Sequence, residues 1–231
     1  MKHLHHLQNG KVNIMSKKYR VDEIFLSISG ETSTVGMPTV FVRMFGCNLN
    51  CPYCDTPQHA HKDMYDYEIL AEVIRVSRGG VYNHVVLTGG EPLNQDVEPL
   101  VKMLIHHDFH IQIETNGTKP LLKNRHPWVS YAMDVKLPSS KVSQHMLEQT
   151  EKNIKELYPD DEIKFVVADD TDFETAIKWI NRYKPTSKLL FSPMFNEDGT
   201  IAYPDLVDNL LALDLENWRV QIQIHKILGC P

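Results

Sequence analysis

The chain of 231 residues has no run of 18 apolar residues, so the pattern predicts no membrane-spanning helix. It also lacks a basic excess. Its 24 Lys and Arg face 30 Asp and Glu, a formal charge of −6. General nucleic-acid binders carry a basic stripe, so no nucleic-acid partner is expected. The first 14 residues, MKHLHHLQNGKVNI, have neither an apolar h-region nor a small-residue cleavage site. They read as an extension or tag remnant ahead of a single domain over residues 15–231, not as a secretory signal. Cysteine is scarce: only Cys47, Cys51, Cys54 and Cys230 occur. The first three lie within eight residues, and a secreted disulfide scaffold would spread them. A reducing cytoplasmic setting is therefore expected.

Short β-rich runs are present at Val21–Ile28, Thr39–Phe45, His84–Thr88, His110–Glu114, Tyr131–Lys136, Glu162–Ala168, Lys188–Ser192 and Arg219–Ile224. Helical patterns fall at Asp66–Ser77, Gln95–His107, Gln144–Leu157, Asp172–Tyr183 and Pro204–Leu213. In the fourth helix Thr171 or Asp172 is available as N-cap. Its Phe173, Ile177 and Ile180 form an apolar stripe suited to packing on a sheet. Alternating strands and helices imply an α/β fold with a mostly parallel sheet. About six such units are too few for a closed eight-unit barrel, so an incomplete (βα)6-type barrel is expected. Ligands of such sheets bind beyond the carboxyl ends of the strands.

Directly after the second strand comes Gly46-Cys47-Asn48-Leu49-Asn50-Cys51-Pro52-Tyr53-Cys54-Asp55-Thr56, with spacing C-x3-C-x2-C. Three thiolates on one loop suit three corners of a [4Fe–4S] cube and leave one iron open. Structural zinc, closed by His59 or His61, is the other reading of such a loop. A second motif, His84-Val85-Val86-Leu87-Thr88-Gly89-Gly90-Glu91-Pro92, is a strand running into a glycine turn. There the backbone can approach a ligand closely.

The two motifs together resemble the radical S-adenosylmethionine (SAM) superfamily, with Tyr53 at the aromatic position of its cluster signature. The resemblance implies that Cys47, Cys51 and Cys54 hold a [4Fe–4S] cluster whose open iron binds SAM. It implies SAM contacts for Tyr53, Asp55, Gly89, Gly90 and Glu91, where Glu91 either orients the loop or offsets the SAM ammonium.

Further segments resemble the 7-carboxy-7-deazaguanine synthase family. They are Phe25–Glu31 with Thr39–Cys47, Cys54-Asp55-Thr56, Tyr131–Lys136, Glu114-Thr115-Asn116-Gly117, Phe191-Ser192-Pro193-Met194, and the terminal His225-Lys226-Ile227-Leu228-Gly229-Cys230-Pro231. The resemblance covers about residues 21–231. It implies conversion of 6-carboxy-5,6,7,8-tetrahydropterin to 7-carboxy-7-deazaguanine with loss of ammonia. Mg²⁺ would sit on Thr56, and further SAM contacts fall to Asp134, Val135, Lys136, Ser192 and Pro193. The pterin would meet Ile28, Ser29, Gly30, Arg43, Thr88 and the Pro231 carboxylate. A guanidinium can grip a carboxylate through two parallel hydrogen bonds, which suits Arg43 to the carboxylate of the pterin. The family further implies a homodimer and a flavodoxin or ferredoxin as electron donor.

Three departures stand out. Ser29 replaces the family's usual Gln, Asp134-Val135 replaces Ser-Pro, and Ser192 replaces Gln. Ser29 keeps its backbone N–H and C=O for a ligand but loses the amide side chain. A related pterin or purine substrate is the variant reading. An activating enzyme for a glycyl-radical protein shares both cysteine and GGEP motifs, but not Arg43, Thr56 and the terminal Pro231. A zinc module with a protein or nucleic-acid partner is the non-catalytic alternative.

Overall fold

In the computed structural model, residues 16–54, 56, 60–196 and 198–231 are described. The N-terminal extension, Asp55 and His59 lie outside them. The strands are β1 (Lys18–Ile28), β2 (Pro38–Met44), β3 (Lys62–Tyr65), β4 (His84–Gly89), β5 (His110–Thr115), β6 (Val129–Asp134), β7 (Glu162–Val167), β8 (Lys188–Pro193) and β9 (Trp218–Val220). The helices are α1 (Asp66–Val76), α2 (Glu98–His106), α3 (Gln144–Asn153), α4 (Asp170–Tyr183), α5 (Leu206–Leu211) and α6 (Ile224–Leu228). Among the described residues none is long and apolar enough to cross a membrane.

All nine strands form one sheet in the order β3-β1-β2-β4-β5-β6-β7-β8-β9. From β2 to β9 every pairing is parallel, and β1 and β3 add an antiparallel edge. β3 and β9 stay at opposite edges, so the sheet curls without closing. This is the expected incomplete barrel.

Alternation along the strands decides the layers. Val40, Val42, Met44, Val85, Leu87, Ile111, Ile113, Tyr131, Met133, Ile163, Phe165, Leu189 and Phe191 point one way, into the buried core. Leu100 and Leu104 of α2, Ile69 and Val73 of α1, and Ala176 and Ile180 of α4 cover that face. Full burial of each large aliphatic stabilises by about 1.5–3 kcal/mol. The intervening positions face the concave side. There the register sets Arg43 beside Thr88, Glu114 beside Ala132 and Asp134 beside Lys164. A two-sided apolar strand would leave no such polar row.

Several sequence expectations shift. β3 was not expected, because its Lys-Asp-Met-Tyr pattern is short and half polar; it forms by pairing with β1. The N-cap of α4 is Asp169, whose carboxylate accepts the Asp172 N–H at 2.9 Å. Asp172 is instead buried and accepts the N–H groups of Ser139 and Ala168, both at 3.0 Å. The expected strand Arg219–Ile224 ends at Val220. Its Gln residues at 221 and 223 turn toward Glu31, and α6 follows. The β5–β6 connection carries no helix among the described residues, and the sequence pattern offers none there. Thr150 and Asn153 of α3 hold it instead, both bonding the Gly117 carbonyl, at 3.0 and 2.9 Å.

Candidate active site

The cysteine loop and the glycine turn meet at the carboxyl rim of the sheet. Gly89 ends β4 at φ +117, and a Cβ there would lie 2.2 Å from the Met44 carbonyl oxygen. Gly90 packs equally tightly on Gly46. The Gly90 N–H donates to Met44 O at 3.1 Å and the Glu91 N–H to Gly46 O at 2.9 Å. The GGE turn thus braces the root of the cysteine loop.

Glu91 is fully buried. Its carboxylate accepts the Leu93 N–H at 2.9 Å, the Thr115 hydroxyl at 2.9 Å and the Asn116 N–H at 2.7 Å. Burial raises its pKa, while those donors oppose the rise. Of the two roles expected for Glu91, the geometry matches loop orientation: it ties β4 to the end of β5.

Asn116, held there, extends the brace. Its side-chain amide lies 3.7 Å from Cys47 Sγ and 3.2 Å from Asn48 Oδ1, and Asn48 in turn donates to Thr118 Oγ1 at 2.8 Å. All three loop cysteines are free thiols; Cys47 and Cys54 are exposed and Cys51 is half-buried. Burial pushes the Cys51 thiol up, and the Lys136 ammonium pulls it back. Thr56 follows, half-buried. His61 lies against the Phe45 ring, centroids 4.6 Å apart, and near Asp63. Among the described residues no three His, Cys, Asp or Glu converge on one metal ion. A cube spreads its thiolates over separate irons, so three free thiols on one braced loop suit a cluster.

Lys136, just past β6, links the cysteine loop to the sheet. Its ammonium pairs with Asp134 at 2.6 Å and lies 5.9 Å from the Tyr53 ring centroid. Burial raises the Tyr53 phenol to about 12, so it stays neutral. Asp134 is held below the usual carboxylate range: burial works against this, and Lys136 and Lys164 outweigh it. Val135 is different, since its side chain is core and its N–H donates to Lys164 O at 2.9 Å. Ser192 and Pro193 end β8, both buried, on the same rim.

The concave face below carries the residues expected to meet substrate. Arg43 pairs through Nε with Glu23 at 2.8 Å and lies over the Phe25 ring. Its terminal nitrogens have no hydrogen-bond partner among the described residues, so a two-pronged grip remains geometrically open. The Thr88 hydroxyl donates to Glu114 at 2.7 Å. Burial, with Glu31 nearby, pushes Glu114 up to about 7.

Ser29 sits in a closed turn. Its N–H donates to Met37 O at 2.8 Å, its C=O accepts from Gly36, and its hydroxyl donates to Glu31 O. The Ser29 N–H is thus used inside the 29–37 turn, while its carbonyl keeps a second lone pair for a ligand. Ile28 ends β1 against Pro38. That turn plugs the amino end of the barrel, where Thr32 bonds Gln112 and Ser33 bonds Glu162.

Gly30 seats the chain terminus. Its carbonyl accepts the Ile224 N–H at 3.1 Å, and a Cβ on it would lie 1.7 Å from His225 Nδ1. Pro231 follows α6 and is exposed; the neighbouring Cys230 thiol reaches only the Leu228 carbonyl, at 3.9 Å.

Sequence reasoning missed Lys164, Gln221, Gln223 and Glu23 as members of this site. Lys164 had a visible signal. It stands between Ile163 and Phe165 on a strand whose alternate residues are core.

A model of the radical SAM superfamily matches residues 41–184. The 7-carboxy-7-deazaguanine synthase of Methanospirillum hungatei JF-1 is 36% identical over 220 residues, covering 94% of this chain and 88% of the relative. That of Clostridium acetobutylicum is 39% identical over 222 residues, covering 92% and 97%. The crystal structure of QueE from Escherichia coli superposes with a TM-score of 0.66 at 24% identity, over 89% of this chain and 94% of that one. That likeness concerns the fold. An open parallel barrel with a braced three-cysteine rim defines a radical SAM enzyme. Within that superfamily the chain belongs to the 7-carboxy-7-deazaguanine synthase family. Its cofactors are a [4Fe–4S] cluster and SAM, with Mg²⁺.

Proposed function

We propose that the chain converts 6-carboxy-5,6,7,8-tetrahydropterin to 7-carboxy-7-deazaguanine with loss of ammonia, as a step toward queuosine and related deazapurines. The observation that carries this reading is the joint between the cysteine loop and the concave polar row. Gly90 and Asn116 hold Cys47 at the rim, while Arg43, Thr88 and Glu114 line the wall beneath.

In this reading Cys47, Cys51 and Cys54 hold the cluster. Tyr53, Asp55, Gly89, Gly90, Glu91, Asp134, Val135, Lys136, Ser192 and Pro193 form the SAM seat, with Glu91 acting through the loop and Val135 through its backbone. Thr56 holds Mg²⁺, a hard ion that takes few protein oxygens. Ile28, Ser29, Gly30, Arg43, Thr88 and Pro231 surround the pterin, and Ser29 shapes the turn. The cofactors supply radical chemistry that no side chain provides. The protein's part is to orient the substrate. Arg43 neutralises and aims its carboxylate, Glu114 and Thr88 offer hydrogen bonds, and the braced rim keeps water from the reacting face.

Residues 15–231 act as one domain in the cytosol, as a homodimer, with electrons from a flavodoxin or ferredoxin and no nucleic-acid or membrane partner. Exposed Cys47 and Cys54 suit electron entry at the rim. Anaerobic reconstitution with iron, sulfide, reductant, SAM, Mg²⁺ and the carboxypterin is expected to yield the deazapurine acid. An intact cluster without that product refutes the assignment. Turnover of a close pterin or purine analogue in its place favours the variant that Ser29 permits.

A further inference from the structure

Lys164 stands where three separated chain segments meet. Its ammonium lies 2.8 Å from Glu31 Oε2 and 3.1 Å from Asp134 Oδ1. Glu31 follows the Gly30 corner, and Asp134 ends β6 beside Lys136 and Tyr53. The same Glu31 carboxylate accepts from Gln221 at 3.2 Å and from Gln223, both in the terminal segment. All three charged side chains are mostly buried, with 13–20% exposure. Burial works against the Lys164 ammonium, yet Asp134, Glu31 and Glu114 together hold its pKa well above the ordinary value.

Two carboxylates this close repel each other unless a cation lies between them. Ordinary structural pairs of this kind often contribute little net stability. Here one cation joins the turn that seats the terminal segment to the strand end that carries Asp134 and Lys136. We propose that Lys164 is a positioning residue that couples the pterin side of the site to the SAM side: occupation of either side orders Glu31 and Asp134 together through one ammonium and so tightens the other side. This rests on the function proposed above. It goes further by naming a residue that touches neither motif and by assigning it an energetic role.

Coupling of this type is commonly about 5–150-fold in affinity. The test uses the anaerobically reconstituted full chain and titration calorimetry. SAM and the carboxypterin are each titrated alone, then in the presence of the other. In the unsubstituted enzyme each ligand is expected to tighten the other by at least about fivefold. Lys164→Met is expected to cut that factor below about twofold, and to raise the 5′-deoxyadenosine released per product. Lys164→Arg, which keeps the charge, is expected to restore most of it.

If Lys164→Met fails to fold, the double variant Lys164→Met/Glu31→Gln removes the buried carboxylate left without a cation, since Asp134 keeps Lys136, and must still lack coupling. Unchanged coupling in either folded variant overturns the inference while leaving the proposed function standing. Absence of coupling in the unsubstituted enzyme does the same. No carboxypterin binding by the unsubstituted enzyme overturns both.

Discussion

Gly90 lies directly on Gly46: a Cβ on Gly90 would come within 2.3 Å of the Gly46 carbonyl oxygen and 2.8 Å of the Cys47 amide nitrogen. Both neighbours are backbone, so nothing flexible can yield. The GGEP turn is therefore the abutment on which the cysteine loop stands. Gly90→Ala is expected to push that loop outward and cut activity at least about tenfold, equivalent to about 1.4 kcal/mol. Iron content and the iron–sulfur absorption after reconstitution check the cause. A full cluster with full activity in Gly90→Ala refutes it.

Gly30 makes its close contact at the other end of the site with a side chain, the His225 ring and its Cβ. Gly30→Ala is expected to lift the terminal segment off the 29–37 turn. Carboxypterin affinity then falls by about an order of magnitude, about 1.4 kcal/mol. The cluster spectrum stays unchanged because the rim is untouched. Removal of Pro231 is expected to weaken the same affinity. An enzyme acting on a polypeptide would be indifferent to both changes.

Glu114 makes stability depend on pH. Burial and Glu31 raise its folded pKa to about 7, above the ordinary carboxyl value of 4.5. Between those values the folded state binds the proton more tightly than the unfolded state. Stability from this group is fully present below 4.5 and is lost as pH rises through 7. Glu114→Gln keeps an oxygen for the Thr88 hydroxyl and is expected to flatten that part of the stability profile. Denaturant melts at several pH values measure it. An identical slope in the variant contradicts the assignment.

Asp161 tests the fold away from the site. Its fully buried carboxylate accepts from both terminal nitrogens of Arg125, at 2.5 and 2.7 Å, and from the N–H groups of Tyr131 and Tyr158. Asp161→Ala leaves the guanidinium and two amides without that acceptor. The expected loss is about 3–5 kcal/mol, or a fall in Tm of roughly 10 °C. SAM binding at low temperature should persist. Thermal unfolding followed by circular dichroism decides it.

The chemistry-bearing motifs were legible because they are local. C-x3-C-x2-C sits in eight residues, and GGEP follows an apolar strand. The alternation of strands and helices was equally readable, since each element carries its own period. What failed to show was whatever depends on distant partners. β3 exists only because β1 pairs with it, and Asp172 is an internal acceptor only because Ser139 comes near. The turn from Ser29 to Met37, closed by the Ser29 N–H and C=O, likewise shows only in the folded chain.

By itself the sequence determined the class of chemistry, the mostly parallel character of the sheet and the ligands it can offer. Those follow from residue type, spacing and periodicity, all properties of contiguous chain. Only the tertiary structure decided that Glu91 is a brace, that Gly90 rests on Gly46, and that Lys164 joins Glu31 to Asp134. Glu31 and Lys164 are 133 residues apart in sequence. The strand register and the return of the terminal segment bring them within hydrogen-bond distance, because the curled sheet must bury its charged concave side in pairs.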